Sequence, residues 1–185
     1  MARYYVSITL LIYLLALCFD AVRMTGGNSM AALQMLIYGP WGVVFGMFGW
    51  FANPLLGLAL LLRRRFRWPS LVIAGWALYL ALASWNLDRL PNNRSYDFFD
   101  VTGFAAGYYL WVLAIAAFCA GQAWWCYRGR DEVPRWSLPD GGLAVLLVAV
   151  VVMATQNDSL RFKLERAFEP PPSWQYEAPR RDEAI

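Results

Sequence analysis

The sequence predicts an all-α fold: a polytopic transmembrane helical bundle of about five spans, amino terminus inside and carboxy terminus outside. Three observations lead there. Apolar residues make up 59% of the 185-residue chain and charged residues only 16%. Soluble domains run at roughly 45–50% apolar and about a quarter charged. A chain this short cannot bury so much apolar surface against itself, so part of it must face lipid. Uncharged stretches recur at lengths near the roughly 20 residues that cross a hydrocarbon core. The arginines between them fall unevenly on the two sides, as the positive-inside rule requires.

The first span covers 4–20, preceded by Arg3. Its exit, Leu17-Cys18-Phe19-Asp20, lacks a small-residue cleavage site, and Leu17 is too large for a lipoprotein box, so the segment reads as an uncleaved signal anchor. No charge occurs from Met24 to Leu62, a stretch too long for one straight span, and Gly39-Pro40 divides it. Asn28-Ser29 reads as a helix cap for a short interfacial or re-entrant helix over 30–38. The second span follows over 41–62, kinked at Asn53-Pro54.

The third span runs over 69–85, with Pro69 suited to a first helical turn. The fourth covers 103–127. The fifth covers 138–155 and opens on a Ser137-x-x-Asp140 capping box. Residues 1–156 thus form the bundle. Residues 157–185 are expected on the outer side, as an amphipathic helix with Leu160, Leu164 and Phe168 on one face, then an extended tail containing Pro170-Pro171-Pro172.

With five spans, Arg3, Arg63, Arg64, Arg65, Arg67, Arg128, Arg130 and Arg135 lie inside. Only Arg23, Arg89 and Arg94 lie in the short outer loops. Tryptophan agrees independently: Trp41 and Trp85 fall at outer ends, and Trp68, Trp124, Trp125 and Trp136 at inner ends, the depth where amphipathic rings settle.

Lipid tails are as apolar as leucine, so the spans must associate through close packing and a few polar contacts. Small residues mark where: Gly42, Gly46 and Gly49 on the second span, Ala74, Ala77 and Ala81 on the third, and Gly107, Ala114 and Gly121 on the fourth. Asn53 and Gln122 are placed to add interhelical hydrogen bonds of about 0.6 kcal/mol each. The fifth span carries bulky Val and Leu all round and is expected at the periphery.

Function is constrained mainly by what is missing. The chain has no histidine, which removes histidine general bases, most zinc sites and ordinary haem ligation. Cys18, Cys119 and Cys126 form no CxxC pair. Span interiors carry no Asp, Glu, Lys or Arg, which argues against a proton-coupled pump or a charge-lined channel. Asp88, Asp97 and Asp100 do not match a calcium-ligand spacing. No nucleophile and base pair can be named. The expectation is a non-enzyme with no cofactor and no metal, and the net charge of +3 is too small and dispersed for nucleic acid.

Two surface features stand out. Arg63, Arg64, Arg65 and Arg67 form a cytoplasmic anchor, or a site for anionic headgroups or an acidic partner. Tyr96, Asp97, Phe98, Phe99 and Asp100 combine carboxylates with aromatic rings, either as interface anchoring with helix capping or as a partner-binding loop. The bias of arginine over Lys163, the single lysine, suggests a GC-rich bacterial genome and hence the inner, cytoplasmic membrane.

In length, span count and lack of catalytic residues the chain resembles small polytopic bacterial inner-membrane proteins. These include immunity proteins that neutralise membrane-targeting toxins, and accessory subunits. The resemblance implies a non-catalytic interaction protein that meets the lipid bilayer and a protein partner, either a toxin or a larger membrane complex. The competing reading is a neutral-solute transporter or channel subunit, with Gly39-Pro40 and Asn53-Pro54 as the broken backbone that lines a cavity.

Overall fold

The computed structural model describes residues 4–91, 98–128 and 136–156. In chain order the elements are α1 (Tyr5–Leu17), β1 (Asp20–Met24), β2 (Ser29–Ala31) and α2 (Ala32–Tyr38). Two 3₁₀ stretches follow, Gly39–Phe45 and Phe48–Phe51, then α3 (Ala52–Leu62), α4 (Arg67–Ala83), β3 (Arg89–Pro91), β4 (Phe98–Phe104), α5 (Ala106–Tyr127) and α6 (Leu138–Gln156). Three helices are long and apolar enough to cross a membrane: α4 with its 3₁₀ extension to Asn86, α5 and α6. The apolar helices α1 and α3 are shorter.

The fold is mostly helical, but the all-α expectation is corrected. One end of the helices carries a four-stranded antiparallel sheet in the order β2-β1-β4-β3. Its first hairpin turns through Gly26 and Gly27, both at positive φ (79° and 76°), a conformation that costs other residues a Cβ clash. The Met24 amide closes this turn on the Asn28 carbonyl at 2.8 Å. Val22 is fully buried and Ala21 and Met24 nearly so, which makes β1 the apolar centre of the sheet.

Several boundaries move with it. Asp20 and Arg23 lie on β1, not on a helix end, and Asn28-Ser29 leads into a strand, so α2 begins at Ala32. Gly103 belongs to β4, and α5 begins at Ala106. The stretch 41–62 is not one kinked helix. Gly46 sits at φ 78° and ends the first 3₁₀ stretch, so only 52–62 is α-helical. Pro54 lies in the first turn of α3, where its missing N–H has no helical partner to lose, and it produces no kink.

The helices alternate in direction. α1 runs toward the sheet, α3 away from it, α4 back, α5 away, and α6 returns along α1. Packing follows side-chain size. Along α4, Ser70, Ala74, Ala77 and Ala81 are fully buried against α3 and α5, because small side chains let backbones approach. Ser70 Oγ donates to the Ala59 carbonyl at 2.8 Å, and the Tyr108 hydroxyl to the Ala81 carbonyl at 2.9 Å. α1 lies along α5, with the Tyr5 ring tilted on Phe118 at 5.7 Å and pressed against Gly121. On α6 only Asp140 and Ala154 are buried; Val145, Leu146, Val148, Val152 and Met153 face outward, so α6 is peripheral.

Candidate functional site

A cavity of about 1510 Å³ opens beneath the sheet. Its walls are β1, α2 with the 3₁₀ stretches, and the sheet-side ends of α1, α4 and α5. Close approaches build those walls. A Cβ on Gly107 would sit 2.8 Å from the carbonyl oxygens of Phe19 and Asp20, and one on Gly49 would strike the Ser84 hydroxyl. The Trp50 indole donates to the Leu36 carbonyl at 2.8 Å, which folds the 3₁₀ stretches back onto α2. That segment also carries exposed apolar side chains: Trp41 and Phe48, which belong to the lining, and Val44.

Most of the lining is apolar, contributed by Met30, Met35, Met47, Phe104, Leu80 and their neighbours. Asn53 is the polar group at its floor. The Tyr13 hydroxyl donates to Asn53 Oδ1 at 2.8 Å and the Trp111 indole Nε1 donates to the same oxygen at 2.7 Å. An indole N–H can only donate, so the oxygen end of the amide must face Trp111. The charged side chains in the lining, Asp88 and Arg89, are exposed at the rim.

At the opposite end a second polar cluster joins the helices. Arg63, 1% exposed, places its guanidinium 5.1 Å from the Trp136 ring centre and 5.9 Å from that of Tyr5. Its Nη1 donates to the Tyr5 hydroxyl at 3.5 Å, and that hydroxyl donates to Gln122 Oε1 at 2.8 Å. Gln122 Nε2 donates to the carbonyls of Arg63 (3.3 Å) and Arg67 (3.1 Å). Asp140 completes the expected capping box, accepting from the Ser137 amide at 2.8 Å. It also accepts from the Ser7 hydroxyl, tying α6 to α1. This cluster is built as a clasp whose side-chain hydrogen bonds tie α1 to α5, α1 to α6, and α5 to the α3–α4 turn.

The residues singled out in the sequence separate accordingly. Of the arginine cluster, Arg64 and Arg65 are exposed, Arg67 is half-buried and Arg63 points inward. Tyr96 and Asp97 lie outside the described residues. Phe98, Phe99 and Asp100 open β4. Phe99 is buried, Phe98 stands edge-on to Phe45 at 5.5 Å, and Asp100 pairs with Arg89 at 3.3 Å on an exposed surface. Gly42, Gly46 and Gly49 do not form a helical stripe; they lie in or between the 3₁₀ stretches. Ala74, Ala77, Ala81 and Ala114 are fully buried, and Gly107 and Gly121 sit at close backbone or ring contacts.

Asn53 and Gln122 both make the interhelical bonds expected of them. Their partners Tyr13, Trp111 and Tyr5 were not foreseen, although a polar-tipped aromatic inside an apolar run is a signal that its tip has a destination. Among the described residues no three His, Cys, Asp or Glu side chains converge as a metal site would require, and all three thiols are free. Comparison with protein-family models, curated proteins and solved structures gives no match.

Proposed function

We propose that the chain is a multi-pass membrane protein, crossed by α1, α3, α4, α5 and α6, that works by binding and not by catalysis. The observation that carries this reading is the apolar cavity under the sheet, closed at its floor by hydrogen-bonded side chains. In this reading the sheet and cavity lie on the outer side and the arginine turn on the inner side. The exposed arginines at one end and the interfacial tryptophans at both ends support that placement. A protein partner, whether a toxin, as for immunity proteins, or a larger membrane complex, would meet the exposed apolar face of residues 41–51.

Passage of a neutral solute is the less favoured reading. Below Asn53 the space between α1, α3, α4 and α5 is occupied by Ala59, Ala74, Ile115 and Phe118, all fully buried. The Tyr5–Gln122 bridge lies beyond them. A floor so filled supports retention of a ligand over its transit.

Two experiments test the proposal. In a cysteine-free background, a membrane-impermeant maleimide added to intact cells should label Asn86→Cys and spare Arg65→Cys; the reverse pattern refutes the threading. Native mass spectrometry of protein extracted in mild detergent should show a retained molecule that Ala83→Trp, which narrows the cavity, expels. Extraction without any adduct, or an adduct indifferent to Ala83→Trp, refutes binding in the cavity.

A further inference from the structure

The floor of the cavity fixes what its occupant must carry. Asn53 Oδ1 accepts two hydrogen bonds, one from an indole that cannot do anything but donate. The amide is therefore locked in one orientation, and its Nδ2, with two N–H donors, has no partner among the described residues. Three other polar tips along the wall are engaged: Trp50 donates to Leu36, Ser84 to Leu80 and Tyr108 to Ala81, all at backbone carbonyls. Asn53 is half-buried and the cavity is open, so this donor is accessible to an acceptor on whatever occupies the cavity.

Three further features narrow the acceptor. No cation lies beside Asn53; the nearest basic residue of the lining, Arg89, is at the rim and paired with Asp100. A charged headgroup would be desolvated at the floor without compensation, so the acceptor is uncharged. The volume of about 1510 Å³ exceeds the roughly 300–1,000 Å³ of pockets for drug-sized ligands, and suits a long-chain molecule. The cavity is open, not sealed, and one of its walls carries Trp41 and Phe48, which line it while staying more than half exposed. Access is thus from the acyl region of the outer leaflet.

We propose that this cavity binds a neutral lipid, a molecule with long hydrocarbon chains and an uncharged ester or ketone carbonyl, whose oxygen accepts from Asn53 Nδ2. Trp111 and Tyr13 act as positioning residues that hold the amide donor-side up. The proposal rests on the binding reading above, and its test separates the two.

The full-length protein in nanodiscs of ether-linked phosphatidylcholine, which lack ester carbonyls, is exposed to two photoreactive probes. One is a diazirine-bearing diacylglycerol, the other a diazirine-bearing alkane of matched chain length, and labelled residues are mapped by mass spectrometry. Both probes should label the cavity wall, the diacylglycerol about tenfold more efficiently, the factor one net hydrogen bond of this kind is worth. Asn53→Leu should bring the diacylglycerol down to the alkane level and leave the alkane unchanged; retained alkane labelling also certifies a folded cavity.

Equal labelling by the two probes, indifferent to Asn53→Leu, overturns the carbonyl assignment while sparing the binding reading. Absence of cavity labelling by either probe overturns both. Where Asn53→Leu abolishes both labels through misfolding, competition on the unaltered protein decides. A non-photoreactive diacylglycerol should displace the alkane probe at about one-tenth the concentration that a plain alkane needs, and equal potency overturns the assignment.

Discussion

Replacing Gln122 by leucine should loosen the whole arginine end of the molecule. Gln122 is fully buried, and its single side chain links α5 to α1 through Tyr5 and to the α3–α4 turn through the carbonyls of Arg63 and Arg67. Leucine has a similar volume, so the cavity contribution is small and the loss is polar. Interhelical hydrogen bonds within membranes average about 0.6 kcal/mol, with a maximum near 1.7. Three of them lost together amount to about 2 kcal/mol on that average. The Tyr5 hydroxyl still accepts from Arg63 Nη1 at 3.5 Å, but its own proton loses its acceptor because a guanidinium only donates, so the measured cost should not fall below this sum. Unfolding by sodium dodecyl sulfate in mixed micelles measures the change directly. A double-mutant cycle with Tyr5→Phe then isolates the Tyr5–Gln122 bond, expected at about 0.5–1.5 kcal/mol. A Gln122→Leu protein within 0.5 kcal/mol of the original, with no coupling in the cycle, would show that this network contributes nothing.

Other substitutions probe other parts of the same argument. Gly49→Ala drives a methyl into the Ser84 hydroxyl and should cost about 1–3 kcal/mol; most of that should return in the Gly49→Ala/Ser84→Ala double variant, read as melting temperature in detergent. Gly107→Ala meets the backbone carbonyls of Phe19 and Asp20, which cannot rotate aside. Its cost should lie at the upper end of the same range, and no side-chain substitution nearby should rescue it. Arg63→Ala removes a buried side chain seated on Trp136 and Tyr5 and should destabilise by about 2 kcal/mol or more, whereas Arg64→Ala, on the surface, should change unfolding by less than about 0.5 kcal/mol.

The three long helices α4, α5 and α6 were legible because each is a local property of the chain: an apolar, nearly uncharged run reports itself over about 20 residues. The sheet was not, for two reasons. β3 and β2 span three residues each and β1 five, too short for alternation to emerge, and β1 is bulged between Asp20 and Val22. Its central pairing joins residues 22–24 to 101–104, a contact that no local pattern announces. One local cue did exist in Gly26-Gly27-Asn28, a hairpin-type turn between short apolar runs, which the helix-cap reading of Asn28-Ser29 overrode. At the candidate site, Asn53 was identified as an interhelical hydrogen-bonding residue from its place in an apolar stretch. The cavity above it was not, because the same uncharged composition serves a packed helix and the wall of a void. Gly46 makes the difference, by ending the 3₁₀ turn that a continuous helix would have replaced.

The strand order has a consequence for biogenesis. β1 is an interior strand, yet one of its neighbours is β4, which is synthesised only after α3 and α4. Until residue 104 has emerged, the β1–β2 hairpin carries a bare row of amides and carbonyls, the kind of edge that recruits foreign strands. Nascent chains halted after α4 should therefore be the species that chaperones capture and proteases clear, while those released after α5 should escape both.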